Sequence, residues 1–413
     1  MRNNMKIALL TLGSRGDVQP YAVLGQALAL RGHSITLSTA KNFESLVKSY
    51  GIAFKPIEVD YQEILKSEEG KKLLKANPFV IKRNLNKWIY PLVVQSLNEF
   101  YQLSLENDKV IYHPKTLADV FADQMPEKMI RAAVVPAMQP TTEFANPAFS
   151  GFPIPSFLNK LSYKLTDLSM KMLNKPIRQF RLQNRLSIKY NLIETPFIYG
   201  ISPAFLSKPK DYPKNQYFTG FWYAKNMYPL DEDIKRFIET GEPPIVITFG
   251  SMPFKSKVEI TELVKELVEK FKTRIIVIKG WGITDLKAYP NDKSMLFVDS
   301  VPYDALFPRV RAVVHHGGIG TTAECLRAGK PMFICPILYP VGDQKFWGDL
   351  AFQKGVAVKP LPVSKLTKDN FLNSVKRLLN DQSLYENSIK LAERINKEDG
   401  ITQSIKIIEN IGR

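Results

Sequence analysis

The segment VVHHGGIGTTAECLRAGKP, residues 313–331, places two histidines directly before a run of glycines and threonines. The short run RAVVHH is rich in β-branched residues and predicts a buried strand, whereas TTAECLRAG contains good helix formers and ends at Gly329. A helix that follows a glycine turn exposes unpaired backbone N–H groups at the positive end of its dipole. The segment therefore predicts an anion site, and phosphate is the usual ligand of such a site.

Both halves of the chain repeat an alternation of strands and helices that could position this site. The first half opens with the strand KIALLTL, the loop GSRGDVQP, the helical segment YAVLGQALALRGH and a second strand, SITLST. The second half restarts with PIVITFGSM, the helical segment KVEITELVKELVEKF and the strand TRIIVIKGWG. Strands separated by helices predict parallel sheets, so the expected fold class is α/β with two doubly wound domains.

Composition suggests where these domains begin and end. A stretch rich in Pro, Lys, Tyr and Trp separates the two halves, and we interpret residues 206–230 as a linker. This places an N-terminal domain at 1–205 and a C-terminal domain at 231–394. Residues from about 395 to 413 predict a charged amphipathic helix with no strand after it, which could pack back onto the first domain.

Composition also limits the functional classes. The chain has 413 residues, 45% of them hydrophobic, and no apolar run approaches the length of a membrane-spanning helix. Cys325 and Cys335 lie in apolar segments, which indicates buried reduced thiols and a cytoplasmic protein. No cysteine and histidine cluster has metal-ligand spacing, and we interpret LDED at 230–233 as helix capping, so no bound metal is expected.

Part of the formal net charge of +17 is concentrated at residues 158–190, which hold eight Lys or Arg and one acid. Apolar residues at helical spacing predict an amphipathic segment there, and we expect Pro176 to divide it into two helices. Two interpretations remain open: a solvated basic face, or peripheral docking on the anionic inner face of a membrane. Nucleic acid is not an expected partner, because the basic residues lack regular aromatic interleaving.

Six short motifs in order carry a family resemblance: GSRGDVQP, YHP, FGSM, KGWG, HHGGIGTTAECLRAGKP and GDQKFWGD. Their succession, from residue 5 to about residue 380, resembles the inverting family 1 glycosyltransferases of the GT-B fold, and the sterol and lipid glucosyltransferase branch in particular. The resemblance implies two Rossmann-like domains facing across a cleft, with the nucleotide sugar on the C-terminal domain and the acceptor on the N-terminal domain.

The same resemblance implies the reaction. Glucose or a similar hexose would pass from a UDP-sugar to a hydroxyl of a lipophilic acceptor, without a metal or another cofactor. The expected acceptor is a sterol or another lipid first, and a polyketide, flavonoid or carotenoid next.

The resemblance also implies the residues that bind the nucleotide. Those assigned to the diphosphate are Ser251, His316, Gly318, Gly320, Thr321 and Thr322. His315 is expected to be structural, because strand alternation points it to the opposite face from His316. Backbone groups at Ser300 and Val301 would read the uracil, and Glu324 would bind the ribose. Trp281 either covers the base or packs in the core.

On the sugar side, Asp343 and Gln344 match the pair that hydrogen-bonds the sugar hydroxyls in the family. The run PILYPVGDQ is about two residues longer than usual, which could shift this loop and the choice of sugar. We place Trp347 on the acceptor side of the site, behind this loop.

The expected base is Asp17, in the loop Gly13-Ser14-Arg15-Gly16-Asp17, and the resemblance places Gly13, Ser14 and Arg15 of this loop among the residues that bind the nucleotide sugar. Burial under an apolar acceptor would raise the pKa of this carboxylate and improve it as a general base. The alternative is that Asp17 only caps the following helix. Arg15 would hold Asp17 or the diphosphate, and His113 either lies on the acceptor side or is a structural turn residue.

Two other functional classes remain open. A non-hydrolysing nucleotide-sugar epimerase can share the two-domain architecture, and a non-catalytic nucleotide- or lipid-binding homologue could retain the fold with a decayed site. A dinucleotide oxidoreductase is disfavoured, because neither first β–α turn reads G-x-G-x-x-G.

Overall fold

The computed structural model of the protein describes residues 4–57, 89–224, 229–250, 259–280 and 293–411. Its first sheet is parallel and has the order β3-β2-β1-β4-β5-β6-β7 among these residues. The strands are β1 (Lys6–Leu10), β2 (Ser34–Ala40), β3 (Ala53–Ile57), β4 (Lys109–Tyr112), β5 (Met129–Ala133), β6 (Phe197–Tyr199) and β7 (Gln216–Phe218). The α-helices of this part are α1 (Arg15–Leu30), α2 (Glu44–Ser49), α3 (Tyr90–Leu105), α4 (Asn159–Lys171) and α5 (Asn174–Gln183).

The second sheet is also parallel, with the order β10-β9-β8-β11-β12-β13. Its strands are β8 (Ile245–Thr248), β9 (Ile275–Ile278), β10 (Met295–Val298), β11 (Ala312–His315), β12 (Met332–Ile334) and β13 (Ala357–Val358). The helices are α6 (Glu232–Glu239), α7 (Ile260–Phe271), α8 (Tyr303–Leu306), α9 (Ile319–Arg327), α10 (Gln344–Gln353), α11 (Lys368–Asn380), α12 (Gln382–Ile395) and α13 (Gly400–Asn410). The predicted fold class, with two doubly wound parallel sheets, is confirmed.

Each sheet has one point at which its strand order reverses direction. In the first sheet this point lies between β1 and β4, and in the second it lies between β8 and β11. Loops that leave neighbouring strands in opposite directions open a crevice at the carboxyl edge of the sheet, where α/β proteins bind ligands. The loops after β1 and β4, and those after β8 and β11, therefore mark where a site is expected.

The predicted linker at 206–230 differs from the structure. Gln216–Phe218 within it forms β7 and pairs with β6 of the first sheet. A three-residue strand between prolines and lysines is too short to give a readable alternation of apolar and polar residues.

The final helix α13 packs on the first sheet's domain. Ile405 and Ile408 are buried in its core cluster, and Glu409 binds Arg31 at 2.9 Å and His33 at 3.2 Å. The Trp222 indole N–H donates to the Ser404 hydroxyl at 2.8 Å. The chain therefore ends on the domain with which it began.

A loop of the second domain is hydrogen-bonded to the first domain beside α10. The backbone N–H of Gly342 donates to the Ala148 carbonyl at 2.8 Å, and that of Gly151 donates to the Pro340 carbonyl at 3.2 Å. A Cβ added at Gly151 would lie 2.3 Å from the Pro340 oxygen, so this approach requires glycine. The loop PILYPVGDQ thus joins the two domains.

The basic segment 158–190 forms the two helices α4 and α5, as predicted, with Pro176 in the first turn of α5, where proline is tolerated. The apolar side chains of α4 do not all face a core, since Leu161 and Leu165 are both more than half exposed. Arg181 is fully buried and paired with Asp123 at 2.8 Å. The other seven basic residues are exposed: Lys160, Lys164, Lys171, Lys175, Arg178, Arg185 and Lys189.

Three smaller expectations can be compared with the structure. Asp231 lies at the N-cap position of α6, and Glu232 and Asp233 occupy its first turn, but the Asp231 side chain makes no capping hydrogen bond. Both cysteines are free and buried. Among the helices of the described residues, none combines the length and the apolar character that crossing a bilayer demands.

Candidate active site

Asp17 lies in the first turn of α1, at the carboxyl end of β1. Its Oδ2 accepts hydrogen bonds from the backbone N–H of Ser14, at 2.8 Å, and from the Ser14 hydroxyl, at 3.0 Å. The bond from the N–H of the residue before the helix is one half of a capping box. Asp17 therefore caps α1, as the alternative interpretation has it, but this contact uses only one of its two carboxylate oxygens.

Gly13 allows this close approach. Its φ is +135°, a conformation that other residues rarely adopt, and a Cβ there would lie 2.2 Å from Asp17 Oδ2. The glycine of the GSRGD loop is thus required by the position of the carboxylate.

Lys115 occupies the second oxygen of Asp17. It follows β4, on the other side of the strand-order reversal, and its ammonium lies 2.6 Å from Asp17 Oδ1. The Lys115 side chain is 50% exposed and that of Asp17 14% exposed, so the pair lies at the edge of the crevice. We expected Arg15 to hold Asp17 or the diphosphate, but the exposed Arg15 donates to Gln19 at 2.9 Å.

His113 lies beside this pair but is largely buried. Its Nδ1 accepts the backbone N–H of Lys115 at 3.0 Å, which caps the turn that follows β4. Burial, with Lys115 adding to it, lowers the pKa of His113 to about 3, so the imidazole is neutral at pH 7. These contacts give His113 the structural role in a turn, and they place it next to Asp17.

The pKa of Asp17 lies below its usual value. Burial raises this pKa, but the Lys115 ammonium, His113 and the bonds from Ser14 lower it by more. In this structure the ion pair therefore outweighs burial, and the rise in pKa under an apolar acceptor stays a prediction. The carboxylate is ionised at neutral pH and is able to accept a proton.

The two histidines after β11 have different environments. His315 is fully buried, and its Nδ1 accepts the Gly317 backbone N–H at 3.1 Å, so it stabilises the glycine turn. His316 retains 9% exposure, and its buried Nδ1 has no hydrogen-bond partner among the described residues. Burial lowers the pKa of His316 to about 4, which leaves it neutral and able to donate one N–H.

Gly318 precedes α9 and Gly320 lies in its first turn, and the two glycines differ in their surroundings. A Cβ at Gly318 would lie 2.6 Å from His316 Nε2, whereas a Cβ at Gly320 would meet nothing within 4 Å. At the start of the helix there is therefore free space beside Gly320, whereas the His316 ring fills the space beside Gly318. Open backbone N–H groups at a helix N-terminus are suited to an anion.

The two threonines of this helix are not equivalent. Thr322 is fully buried and donates its hydroxyl to the Gly318 carbonyl at 3.0 Å. We expected this hydroxyl to bind the diphosphate, but it is already used within the helix. Thr321 is also largely buried and hydrogen-bonds Tyr303, whose hydroxyl lies 3.1 Å from that of Thr248.

Glu324 lies one turn into α9 and is paired with Arg327 at 2.5 Å. Burial raises its pKa to about 7, although Arg327 opposes the shift and Asp304 adds to it. The Arg327 guanidinium in turn lies over the Tyr223 ring at 4.5 Å. Glu324 therefore changes charge near neutral pH, which makes its proposed contact with ribose dependent on pH.

This dependence gives a testable prediction. Ionised Glu324 accepts ribose hydroxyls better than the protonated acid, so affinity for a UDP-sugar should rise as pH increases through the pKa of about 7. Between about pH 6 and about pH 8 we expect a gain of about tenfold, since the ionised fraction rises by about that factor. Calorimetric titration at several pH values measures it, and Glu324→Gln should flatten the profile. A wild-type affinity that is the same throughout this range contradicts the ribose contact.

Asp343 precedes α10 and is held from behind by Trp347, whose indole N–H donates to Asp343 Oδ2 at 2.9 Å. Burial raises the pKa of Asp343, and the Trp347 bond and Lys115 oppose the shift. Trp347 is fully buried. We placed it on the acceptor side, but a side chain without exposed surface supports Asp343 and cannot contact an acceptor.

Gln344 is largely buried, and its amide oxygen accepts the backbone N–H groups of Ile337 and Leu338 at 2.7 and 2.9 Å. This oxygen fixes the loop between the domains. The sugar contact predicted for Gln344 is therefore limited to its amide N–H groups.

The two domains bring these groups together across a cleft. Asp17 and Lys115 of the first domain both act on the pKa of Asp343 in the second domain. Arg15 of the first domain likewise acts on the pKa of Tyr303 in the second. The loops at the two strand-order reversals thus face one another, with the expected base on one side and the expected sugar ligand on the other.

The remaining predicted residues belong to the nucleotide side. Ser300 is exposed just after β10, and Val301 is partly buried against the core of the second domain. Both follow the carboxyl end of a strand, as an expected base-binding loop does. Ser251 and Trp281 lie outside the described residues.

Sequence reasoning missed two residues that the structure brings to the cleft. Lys115 follows His113 by two positions in YHPKT, and the reversal between β1 and β4 places its loop beside that of Asp17. Tyr303 follows Ser300 in DSVPY, begins α8 and hydrogen-bonds Thr248 at the end of β8. Position is the one signal that the sequence offers for them, since Lys115 follows the carboxyl end of β4 and Tyr303 that of β10.

Comparison with known proteins identifies the family. Residues 161–402 match the model of the family described as UDP-glucoronosyl and UDP-glucosyl transferase, and residues 7–101 match the glycosyltransferase family 28 N-terminal domain. The chain is similar to a sterol 3-beta-glucosyltransferase of Arabidopsis thaliana, with 30% identity over 97% of this chain and 67% of that protein. It is also similar to the O-mycaminosyltylonolide 6-deoxyallosyltransferase of Streptomyces fradiae, with 27% identity over 98% and 97%.

The chain is shorter than several of the relatives it matches. It spans 65% of a second sterol 3-beta-glucosyltransferase of Arabidopsis thaliana and 34% of one of Vanderwaltozyma polyspora. Among solved structures, the glycotransferase of kitacinnamycin superposes with a TM-score of 0.73 at 16% identity, covering 99% of both chains. These matches confirm the resemblance predicted from the motifs. The chain belongs to the UDP-glucoronosyl and UDP-glucosyl transferase family and has the two-domain GT-B fold.

Proposed function

We propose that the protein is an inverting glycosyltransferase that moves glucose, or a similar hexose, from a UDP-sugar to a hydroxyl of a lipophilic alcohol. A sterol is the first candidate acceptor, because relatives along most of this chain are named sterol 3-beta-glucosyltransferases. The observation that carries the proposal is the arrangement of groups at the cleft. The ionised Asp17 of the first domain faces Asp343 of the second domain, and α9 begins on the second domain's side.

The proposed reaction is a single displacement. Asp17 removes the proton of the acceptor hydroxyl, and the acceptor oxygen forms a bond to the anomeric carbon as the bond from that carbon to the diphosphate oxygen breaks. The electron pair leaves with UDP, so attack from the opposite face inverts the anomeric centre. Asp343 accepts hydrogen bonds from the sugar hydroxyls and fixes the sugar for attack.

On the leaving-group side, open N–H groups near Gly320 and the neutral imidazole of His316 would stabilise the developing negative charge. Burial of His316 favours such stabilisation, because hydrogen bonds to a charged group are stronger where water is excluded.

We propose that this stabilisation requires no metal. Helix dipole and oriented N–H donors can offset diphosphate charge without a cation. Removal of divalent ions with a chelator is therefore expected to leave the initial rate within about twofold of its value. A rate that collapses with chelator and returns with Mg²⁺ contradicts this part of the proposal.

The proposed function is tested by incubating the protein with a panel of UDP-sugars and acceptor alcohols that includes sterols, macrolides, flavonoids and carotenoids. Mass spectrometry should detect gain of one hexose by one acceptor class, and NMR of the product should show the inverted anomer. A polyketide, flavonoid or carotenoid product would keep the reaction and change the acceptor class.

The same experiment separates the other functional classes. Interconversion of UDP-sugars with no acceptor present identifies an epimerase. Binding of UDP without any product identifies a non-catalytic homologue.

We further propose that the protein docks peripherally on an anionic lipid surface, from which a lipophilic acceptor can be taken. Phe157 is 82% exposed directly before the basic segment, and Leu161 and Leu165 are exposed on α4. Exposed Leu338 and Val341 lie in the interdomain loop bonded to residues 148–151, close to Asp343. Seven exposed basic residues of 158–190 complement anionic headgroups, each contributing about 1 kcal/mol near such a surface.

Sedimentation with vesicles tests this docking. The protein should co-sediment with vesicles rich in phosphatidylserine, and the triple variant Phe157→Ser, Leu161→Ser, Leu165→Ser should lose about tenfold in affinity. Leu30→Ser, which alters a 79% exposed leucine on α1, is the matched control and should bind as the wild type does. Equal binding of the triple variant and wild type contradicts the assignment of this surface.

A further inference from the structure

The carboxylate of Asp17 is held by two separate loops. From its own loop, Ser14 donates a backbone N–H and a hydroxyl to Oδ2. From the loop after β4, Lys115 donates to Oδ1 at 2.6 Å. Contacts on both oxygens fix the plane of the carboxylate and leave lone pairs for a further donor.

Charged and titratable groups face Asp17 from three directions. Lys115 and His113 come from the loop after β4, Asp343 comes from the second domain, and Tyr21 lies on α1 itself. His113 is neutral at pH 7, because burial lowers its pKa to about 3. Among these groups Lys115 is the one that carries a positive charge at neutral pH.

We propose that Lys115 is a positioning residue for the proposed transfer reaction: its ammonium keeps Asp17 ionised and oriented toward the cleft until the acceptor arrives. This inference rests on the proposed function of Asp17 as the base. An adjacent cation lowers the pKa of a carboxylate by about one unit or more, so Asp17 stays ready to accept a proton well below neutral pH.

The proposal also explains how a buried carboxylate can start the reaction in the correct protonation state. Burial alone would favour the protonated acid, which cannot act as a base. The ion pair reverses that preference. Transfer of the acceptor proton to Asp17 cancels its charge, and with it the attraction that holds Lys115 in place.

The test compares Lys115→Met, Lys115→Arg and Lys48→Met with the wild type. Methionine removes the charge and keeps the approximate length, while arginine keeps the charge. Lys48→Met is the matched control, since it breaks an exposed ion pair with Glu44, 2.7 Å long, on α2 of the same domain. Thermal unfolding and UDP affinity are measured for each variant to exclude misfolding.

Two readouts are taken. The first is the pKa of the Asp17 carboxyl from its ¹³C NMR titration, assigned by comparison with Asp17→Asn. The second is the pH dependence of kcat/KM. With Lys115→Met we expect both the NMR titration and the acid limb of kcat/KM to move up by about one pH unit or more. We also expect kcat at neutral pH to fall about tenfold, because the carboxylate, which is still ionised there, loses the contact that orients it toward the cleft. Lys115→Arg and Lys48→Met should follow the wild type.

The outcomes separate this inference from the proposed function. A wild-type protein that transfers no sugar to any acceptor overturns the proposed function, while the NMR titration still decides whether Lys115 controls Asp17. An active wild type with an unchanged Asp17 titration in Lys115→Met overturns the positioning role alone.

Discussion

Asp17→Asn is expected to reduce kcat by about 10²- to 10⁴-fold, the contribution typical of a general base. Asparagine keeps the size of the side chain and can still accept the bond from Ser14, so α1 remains capped. It cannot take the proton of the acceptor hydroxyl. Because Asp17 belongs to the first domain and the proposed diphosphate site to the second, UDP affinity should change by less than about twofold. Initial rates and calorimetric titration with UDP measure the two effects.

Asp108→Asn is the matched control for this substitution. Asp108 also accepts a backbone N–H, from Lys6 at 2.8 Å, but it lies at the amino end of β1 and β4, away from the cleft. Its substitution should leave the rate within about twofold of wild type. An Asp17→Asn protein as active as the wild type removes Asp17 from the mechanism.

His316→Ala is expected to weaken UDP binding by about 10- to 100-fold. A hydrogen bond to a charged group contributes about 1.5–3 kcal/mol, which corresponds to that range. The folded state should lose little, because the buried Nδ1 of His316 has no partner among the described residues. Calorimetric titration measures the affinity, and thermal unfolding measures the stability.

The neighbouring histidine gives the contrasting variant. His315→Ala removes the acceptor of the Gly317 N–H and leaves that buried group unpaired, which costs about 1–3 kcal/mol of stability. The two substitutions should therefore have different effects. His316→Ala should reduce the affinity for UDP, and His315→Ala should reduce the stability of the folded protein. If His316→Ala binds UDP with unaltered affinity, the phosphate site lies elsewhere.

The main features of the fold follow from the sequence. Strands β1, β8 and β9 are buried, and their unbroken apolar runs alternate with helical segments, which predicts parallel sheets. Strand β7 could not be found in this way, because three residues between turns have no periodicity and pair with β6 only through the assembled sheet. The exposure of the α4 leucines could not be predicted either. Helical spacing shows that apolar residues share one face of a helix, but it does not show what packs against that face.

A residue of the candidate site was predictable where one short segment contains both the side chain and the local structure that positions it. Gly13, Asp17 and His316 belong to such segments, since a turn and a helix start lie beside them. Lys115 was not predictable, because its contact with Asp17 joins positions 98 residues apart. The family resemblance assigns Thr322 to the diphosphate and Trp347 to the acceptor side, and the structure instead buries both side chains.

A crystal structure of the protein with UDP tests the central claim most directly. The account predicts the diphosphate at the start of α9, hydrogen-bonded to N–H groups near Gly320 and to the His316 imidazole, with the uracil toward Ser300. UDP bound in another crevice, with the start of α9 unoccupied, contradicts it.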